Sequence, residues 1–148
     1  MTAMKPFSVH WLTAVETPLA NQFYREYHFR GKARRHDPCA VVRDQHNTII
    51  ACAYLRDYST ADEAFSLLAG LAVAPGCQGQ GVASLLLQEL AVRFDLHTYT
   101  FPYEHLLPFY RAVGFKPVAE LRQDSVVSDV YHRYREQGRA IAVMHYAP

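Results

Sequence analysis

The segment that most constrains this chain is residues 73–86, VAPGCQGQGVASLL, which passes from an apolar stretch through a proline and a glycine-rich turn into a second apolar-periodic stretch. Pro75 cannot donate to a sheet ladder, so a strand ends there. Gly76, Gly79 and Gly81 open backbone conformations closed to other residues and leave the neighbouring N–H groups unobstructed. Val82, Leu86 and Leu90, with Ala83 and Leu87, then recur at helical spacing, while Gln88, Glu89 and Arg93 fall opposite. A strand, a glycine turn and a helix N-terminus in that order can hold an anion such as a pyrophosphate, because free N–H groups and the positive end of the helix dipole converge there.

Three kinds of loop share this outline. A Walker phosphate loop requires Gly-Lys-Ser or Gly-Lys-Thr at its end, and none follows. A dinucleotide fingerprint comes nearer, since 79–84 reads GQGVAS. It lacks the third glycine, and the next strand pattern ends in Phe101, Pro102 and Tyr103 without an acid placed for a ribose.

The rest of the chain predicts alternating short elements. Residues 7–12 alternate as a strand, and Thr17 with Pro18 opens a helix carrying Leu19, Phe23 and Tyr27, which Gly31 is expected to stop. Residues 39–43, 48–58 and 65–74 read as three successive antiparallel strands, the first two joined by a polar turn at 44–47. Beyond the helix at 82–93, the pattern gives a strand at 96–101, a helix at 104–113 capped by Gly114, a strand at 115–121, a helix at 128–137 and a last strand at 140–146. The expected fold class is α/β, a mixed, mostly antiparallel central sheet flanked by helices, in one domain over residues 1–148.

Composition removes several alternatives. A net charge of +1 provides no field for nucleic acid or an anionic membrane. The apolar runs at 49–55 and 67–74 are far short of the ~20 residues that span a bilayer. Residues 1–11 hold Lys5 without an apolar stretch after it, so no leader is read and a cytoplasmic location is expected. Cys39, Cys52 and Cys77 form no C-x-x-C pair and are read as reduced thiols, and the eight histidines lack the i, i+4 spacing of metal ligands, so no metal is expected.

Gln78-x-x-Gly81-x-Ala83, preceded by Val73 and Pro75 and followed by Leu85 and Leu86, resembles the acetyl-CoA pyrophosphate loop of the GNAT acetyltransferases. A second segment, FYRAVGF at 109–115, is similar to the one that closes the family's second CoA-side helix. The resemblance is clear from about residue 67 to 118. It implies a GNAT acyl-CoA N-acyltransferase fold and acetyl transfer from acetyl-CoA to a primary amine of a small-molecule acceptor, by direct attack in a ternary complex. It also raises a homodimer, and as an alternative a catalytically silent CoA-binding or regulatory module.

The family's pantetheine-pairing strand maps onto Leu71, Ala72 and Val73, with the Leu71 N–H as oxyanion donor. The phosphate cradle maps onto Gln78, Gly79, Gln80, Gly81, Val82, Ala83 and Ser84. Tyr110 matches the tyrosine that protonates the departing CoA thiolate, and a phenol with a reference pKa near ~10 stays protonated at neutral pH. Many members carry a Glu base on the fourth or fifth strand. Here 65–68 and 96–100 hold no carboxylate, so the expectation is a base acting through water, with Glu104, His105 and His97 as side-chain candidates. Cys77 is read as a plain loop residue and the basic loop of Arg30, Lys32, Arg34 and Arg35 as a solvated face. Phe23, Tyr24, Tyr27 and Phe29 are read as a mixture of core and pocket lining.

Overall fold

The structure is a computed structural model that describes residues 6–148; of the leader reading over residues 1–11, residues 1–5 with Lys5 lie outside the described residues. Among the described residues, four α-helices and seven strands follow one another as β1 (Ser8–Trp11), α1 (Thr17–Glu26), β2 (Cys39–Arg43), β3 (Ile49–Asp57), β4 (Ser66–Val73), α2 (Val82–Leu90), β5 (Thr98–Thr100), α3 (Leu107–Val113), β6 (Phe115–Pro117), α4 (Val126–Glu136) and β7 (Met144–Tyr146). The strands form one sheet in the order β1-β2-β3-β4-β5-β7-β6. The pairs β1/β2, β2/β3, β5/β7 and β6/β7 are antiparallel, and β4/β5 is parallel. This is the mixed, mostly antiparallel α/β architecture that the sequence pattern predicts.

The chain forms two compact units. The first takes in the described residues up to Leu55 together with Ala69–Val92. Its core is built from Ala20, Phe23 and Tyr24 of α1, Val41 and Val42 of β2, the alanines of β3, and Val82, Leu86, Leu87 and Leu90 of α2. The buried positions of α2 recur at helical spacing, and the helix packs on β1 and β2. The Trp11 indole N–H donates to Glu89 Oε1 at 2.9 Å, tying the helix to the edge strand.

The second unit comprises Arg56–Leu68 and Arg93–Pro148. Phe65, Leu67, Leu68, Phe115, Val130 and Met144 fill its core. Ser125 caps α4, its hydroxyl accepting from the Ser128 N–H at 3.1 Å, so this helix begins two residues before the apolar periodicity suggests.

Several boundaries differ from the sequence expectation for identifiable reasons. Helix α1 ends at Glu26, where His28 takes the left-handed conformation (φ 59°), and Gly31 serves a packing role instead. The expected helix at 104–113 divides into a 3-10 turn, Glu104–Leu106, and α3, because Pro108 sits in the first turn of the α-helix, where its missing N–H costs nothing. Helix α2 closes with a 3-10 turn at Ala91–Arg93. Strand β6 stops at Pro117, which cannot continue a ladder.

Candidate active site

In the first unit, β4 runs out at Val73, and the Ala74 N–H makes a last hydrogen bond to Ile50 O at 2.8 Å. A 3-10 turn, Pro75–Cys77, follows, closed by the Cys77 N–H on Ala74 O at 2.8 Å. Gly79 (φ 77°) and Gly81 (φ 78°) both take the left-handed conformation, and Gly81 is the N-cap of α2. A Cβ built on either would meet nothing within 4 Å. What selects glycine here is therefore the backbone conformation and the open space above it, rather than crowding by the protein.

The first intrahelical bond of α2 runs from Leu85 N–H to Gly81 O at 3.0 Å, so the N–H groups of Val82, Ala83 and Ser84 precede it. Among the described residues no side chain caps this end and no acid stands in its first turn. Gln78 and Gln80 turn inward on the loop, Nε2 of Gln78 donating to Val73 O at 3.3 Å and Nε2 of Gln80 to Gly76 O at 3.5 Å. Gln78, Gly79, Gln80, Gly81 and Ser84 are exposed, Ala83 is half-buried, and Val82 is buried, so Val82 presents only main chain. Open glycines, uncapped amides and a nine-residue helix form a cradle that fits a pyrophosphate.

Upstream of the cradle, Leu71 and Val73 are half-buried and Ala72 is buried. Gly70 adopts φ +68° inside the strand, a conformation that bends a strand out of its regular ladder. The Tyr24 hydroxyl donates to Gly70 O at 2.6 Å. The sequence signal for this contact is Gly70 itself, since a glycine inside a strand pattern marks a bulge or a close approach. The basic loop lies beyond α1 with Arg30, Lys32, Arg34 and Arg35 exposed. Asn21 holds its middle by accepting from the Ala33 N–H at 2.8 Å and donating to Ala33 O at 2.9 Å.

In the second unit, Tyr110 is 5% exposed on α3, its ring edge-on to Phe109 and Phe115. Burial pushes its phenol up to about 12, against a smaller lowering by the Thr100 hydroxyl. It is thus a neutral donor at any physiological pH. Thr100 donates to Leu68 O at 3.0 Å. That buried threonine was missed by sequence reasoning; its signal is the alternation of Thr98 and Thr100 in β5, both buried, about half-buried Tyr99. His105 is exposed on the 3-10 turn before α3, stacked on Tyr103 with ring centroids 6.2 Å apart, and Glu104 and His97 are exposed as well.

Cys39 and Cys52 are buried free thiols with Sγ atoms 3.5 Å apart, and Cys77 is a half-buried free thiol. No group of three or more metal-ligating side chains is gathered among the described residues. No helix among them is long and apolar enough to cross a membrane.

The acetyltransferase (GNAT) domain matches residues 35–117, more than half of the chain, taking in the cradle and Tyr110. No curated protein sequence matches. Among solved structures, N-acetylglutamate synthase from Neisseria gonorrhoeae, complexed with coenzyme A and N-acetyl-glutamate, superposes with a TM-score of 0.65 at 16% identity over 97% of this chain. The chain spans 35% of that synthase's length. A Mycobacterium tuberculosis protein solved in complex with CoA gives 0.66 at 14% identity, covering 95% of this chain and 99% of its own. Escherichia coli ElaA gives 0.61 at 13%, with 95% and 99% covered. These likenesses establish the fold, and the domain match establishes the family: the chain belongs to the GNAT acetyltransferases.

Proposed function

We propose that this enzyme transfers an acetyl group from acetyl-CoA to the primary amine of a small molecule, by direct attack in a ternary complex. The observation that carries the reading is the cradle at the α2 N-terminus, where two left-handed glycines face open space and the first helical amides are uncapped. Acetyl-CoA would supply the activated thioester, and the residues of this chain bind and orient it. Gln78 to Ser84 hold the pyrophosphate through main-chain N–H groups, and Leu71, Ala72 and Val73 offer main-chain pairing to the pantetheine arm.

The Leu71 N–H is the donor to the thioester oxygen as negative charge grows there. Tyr110, a phenol protonated at neutral pH whose proton burial holds more tightly still, gives that proton toward the departing thiolate. Neither β4 nor β5 carries a carboxylate, so the amine loses its proton through water, with exposed His105 as the side-chain alternative. In this reading residues 1–148 act as one catalytic domain. A cytoplasmic location accords with the free thiols of Cys39, Cys52 and Cys77. A homodimer is a further part of the reading that sedimentation would test.

The missing strand carboxylate supports a second reading, a CoA-binding module without turnover. Thermal unfolding with acetyl-CoA, NADH and ATP tests what the two readings share. Acetyl-CoA should raise Tm by mass action, and the other two should not. Stabilisation by NADH alone would replace both readings with a dinucleotide site.

A further inference from the structure

Tyr24 is among the most enclosed side chains of the first unit, 1% exposed on α1. Its hydroxyl reaches 46 residues along the chain to donate to Gly70 O at 2.6 Å, short for a hydroxyl–carbonyl bond. Two glycines make room for it. A Cβ on Gly31 would stand 2.5 Å from Tyr24 Cε1, and one on Gly70 would stand 2.6 Å from the Tyr24 hydroxyl and collide with the Tyr54 ring. The Tyr54 hydroxyl in turn accepts from the Lys32 N–H at 3.2 Å, and the Tyr24 and Tyr54 rings meet edge-on. The Cys52 thiol also meets the Tyr24 hydroxyl, whose position is thus fixed from several sides, and the short bond that it donates goes to the main chain of β4.

The carbonyl that Tyr24 engages belongs to the same peptide group as the Leu71 N–H. That group is planar and trans, so its C=O and N–H point in opposite directions. A donor that fixes the oxygen therefore aims the hydrogen. It also draws electron density toward the oxygen, which makes the N–H a stronger donor. We infer that Tyr24 is a positioning residue for acetyl transfer, its hydroxyl orienting and polarising the Gly70–Leu71 peptide so that the Leu71 N–H is ready for the developing oxyanion. The inference rests on the proposed role of Leu71 as oxyanion donor. Because such a donor is worth most where charge develops, loss of the Tyr24 hydroxyl should fall on the chemical step and spare the cradle.

The test is Tyr24→Phe in the full chain, read by the 15N–1H resonance of Leu71, by kcat with acetyl-CoA, and by CoA affinity. The expected result is an upfield move of the Leu71 amide proton, a fall in kcat of about 10-fold to 10²-fold, and CoA affinity within about twofold of the parent. If Tyr24→Phe does not fold, 3-fluorotyrosine at position 24 keeps the ring and makes the hydroxyl a stronger donor, and the Leu71 amide proton should move downfield. A Leu71 resonance that stays in place in a folded variant overturns the inference whatever the turnover. Parallel losses of kcat and CoA affinity overturn it too, since they mark Tyr24 as merely structural. A displaced Leu71 resonance with parental kcat retains the Tyr24–peptide link but removes Leu71 from the chemistry, and with it the catalytic role of Tyr24. A parent protein that binds acetyl-CoA but acetylates nothing counts against the proposed function alone, and the Leu71 resonance still decides whether Tyr24 governs this peptide.

Discussion

Gly31 lies against the ring of Tyr24, so close that a Cβ at position 31 would stand 2.5 Å from Tyr24 Cε1. Gly31→Ala therefore overpacks the first unit and should lower stability by about 1–3 kcal/mol. Gly76 has no heavy atom within 4 Å of its Cβ position, and Gly76→Ala should leave the urea midpoint unchanged. Equal midpoints for the two variants would show that the ring yields without cost.

Gly81 and Gly138 provide a matched pair, with φ of 78° and 83° and nothing within 4 Å of either Cβ position. Alanine at each should cost a similar ~1–2 kcal/mol of backbone strain. Only Gly81→Ala puts a methyl group in the proposed path of the phosphates, so it alone should weaken CoA binding, by about tenfold or more. Calorimetric titration of both variants with CoA checks this. Equal affinity in the two would remove the cradle from the site.

The extent of the fold legible in the sequence followed the strength of each local signal. Strand β2 and the glycine turn that leads into α2 were legible because turn residues bracket a sharp change in periodicity. The end of α1 was not, because Gly31 reads as a stop although it is small to admit the Tyr24 ring, a contact made by tertiary packing. Tyr110 was visible through its motif, whereas Thr100 and the Tyr24–Gly70 bond were not, since they depend on residues 32 or more positions away in the chain. The expected base candidates proved to be exposed side chains.

The phenol of Tyr110 is pushed up to about 12 by burial, and that of Tyr24 is raised as well, so both bind their protons more tightly in the folded state. Their contribution is complete below the unfolded phenol value near ~10 and is lost as pH rises through the folded values. For Tyr110 the loss amounts to about 3 kcal/mol between roughly pH 10 and pH 12. Urea midpoints measured across that window should fall steeply in the parent and less in Tyr110→Phe. A flat profile in the parent would contradict the burial of these hydroxyls.

Tyr110→Phe also separates binding from chemistry. It keeps the ring packed against Phe109 and Phe115 and should leave CoA affinity nearly unchanged, while lowering kcat by about 10²–10⁴-fold. Single-turnover kinetics must first confirm that chemistry limits the rate. A folded variant with parental turnover would make Tyr110 a core residue and turn attention to water or His105.

The most direct measurement is release of free CoA thiol from acetyl-CoA by the parent protein, followed against a panel of primary amines and matched to the N-acetyl product. The predicted result is amine-dependent release, equal in amount to the acetylated amine, for at least one small acceptor. Acetyl-CoA that binds and stabilises the protein yet releases no thiol with any amine of the panel would contradict acetyl transfer and leave a CoA-binding module in its place.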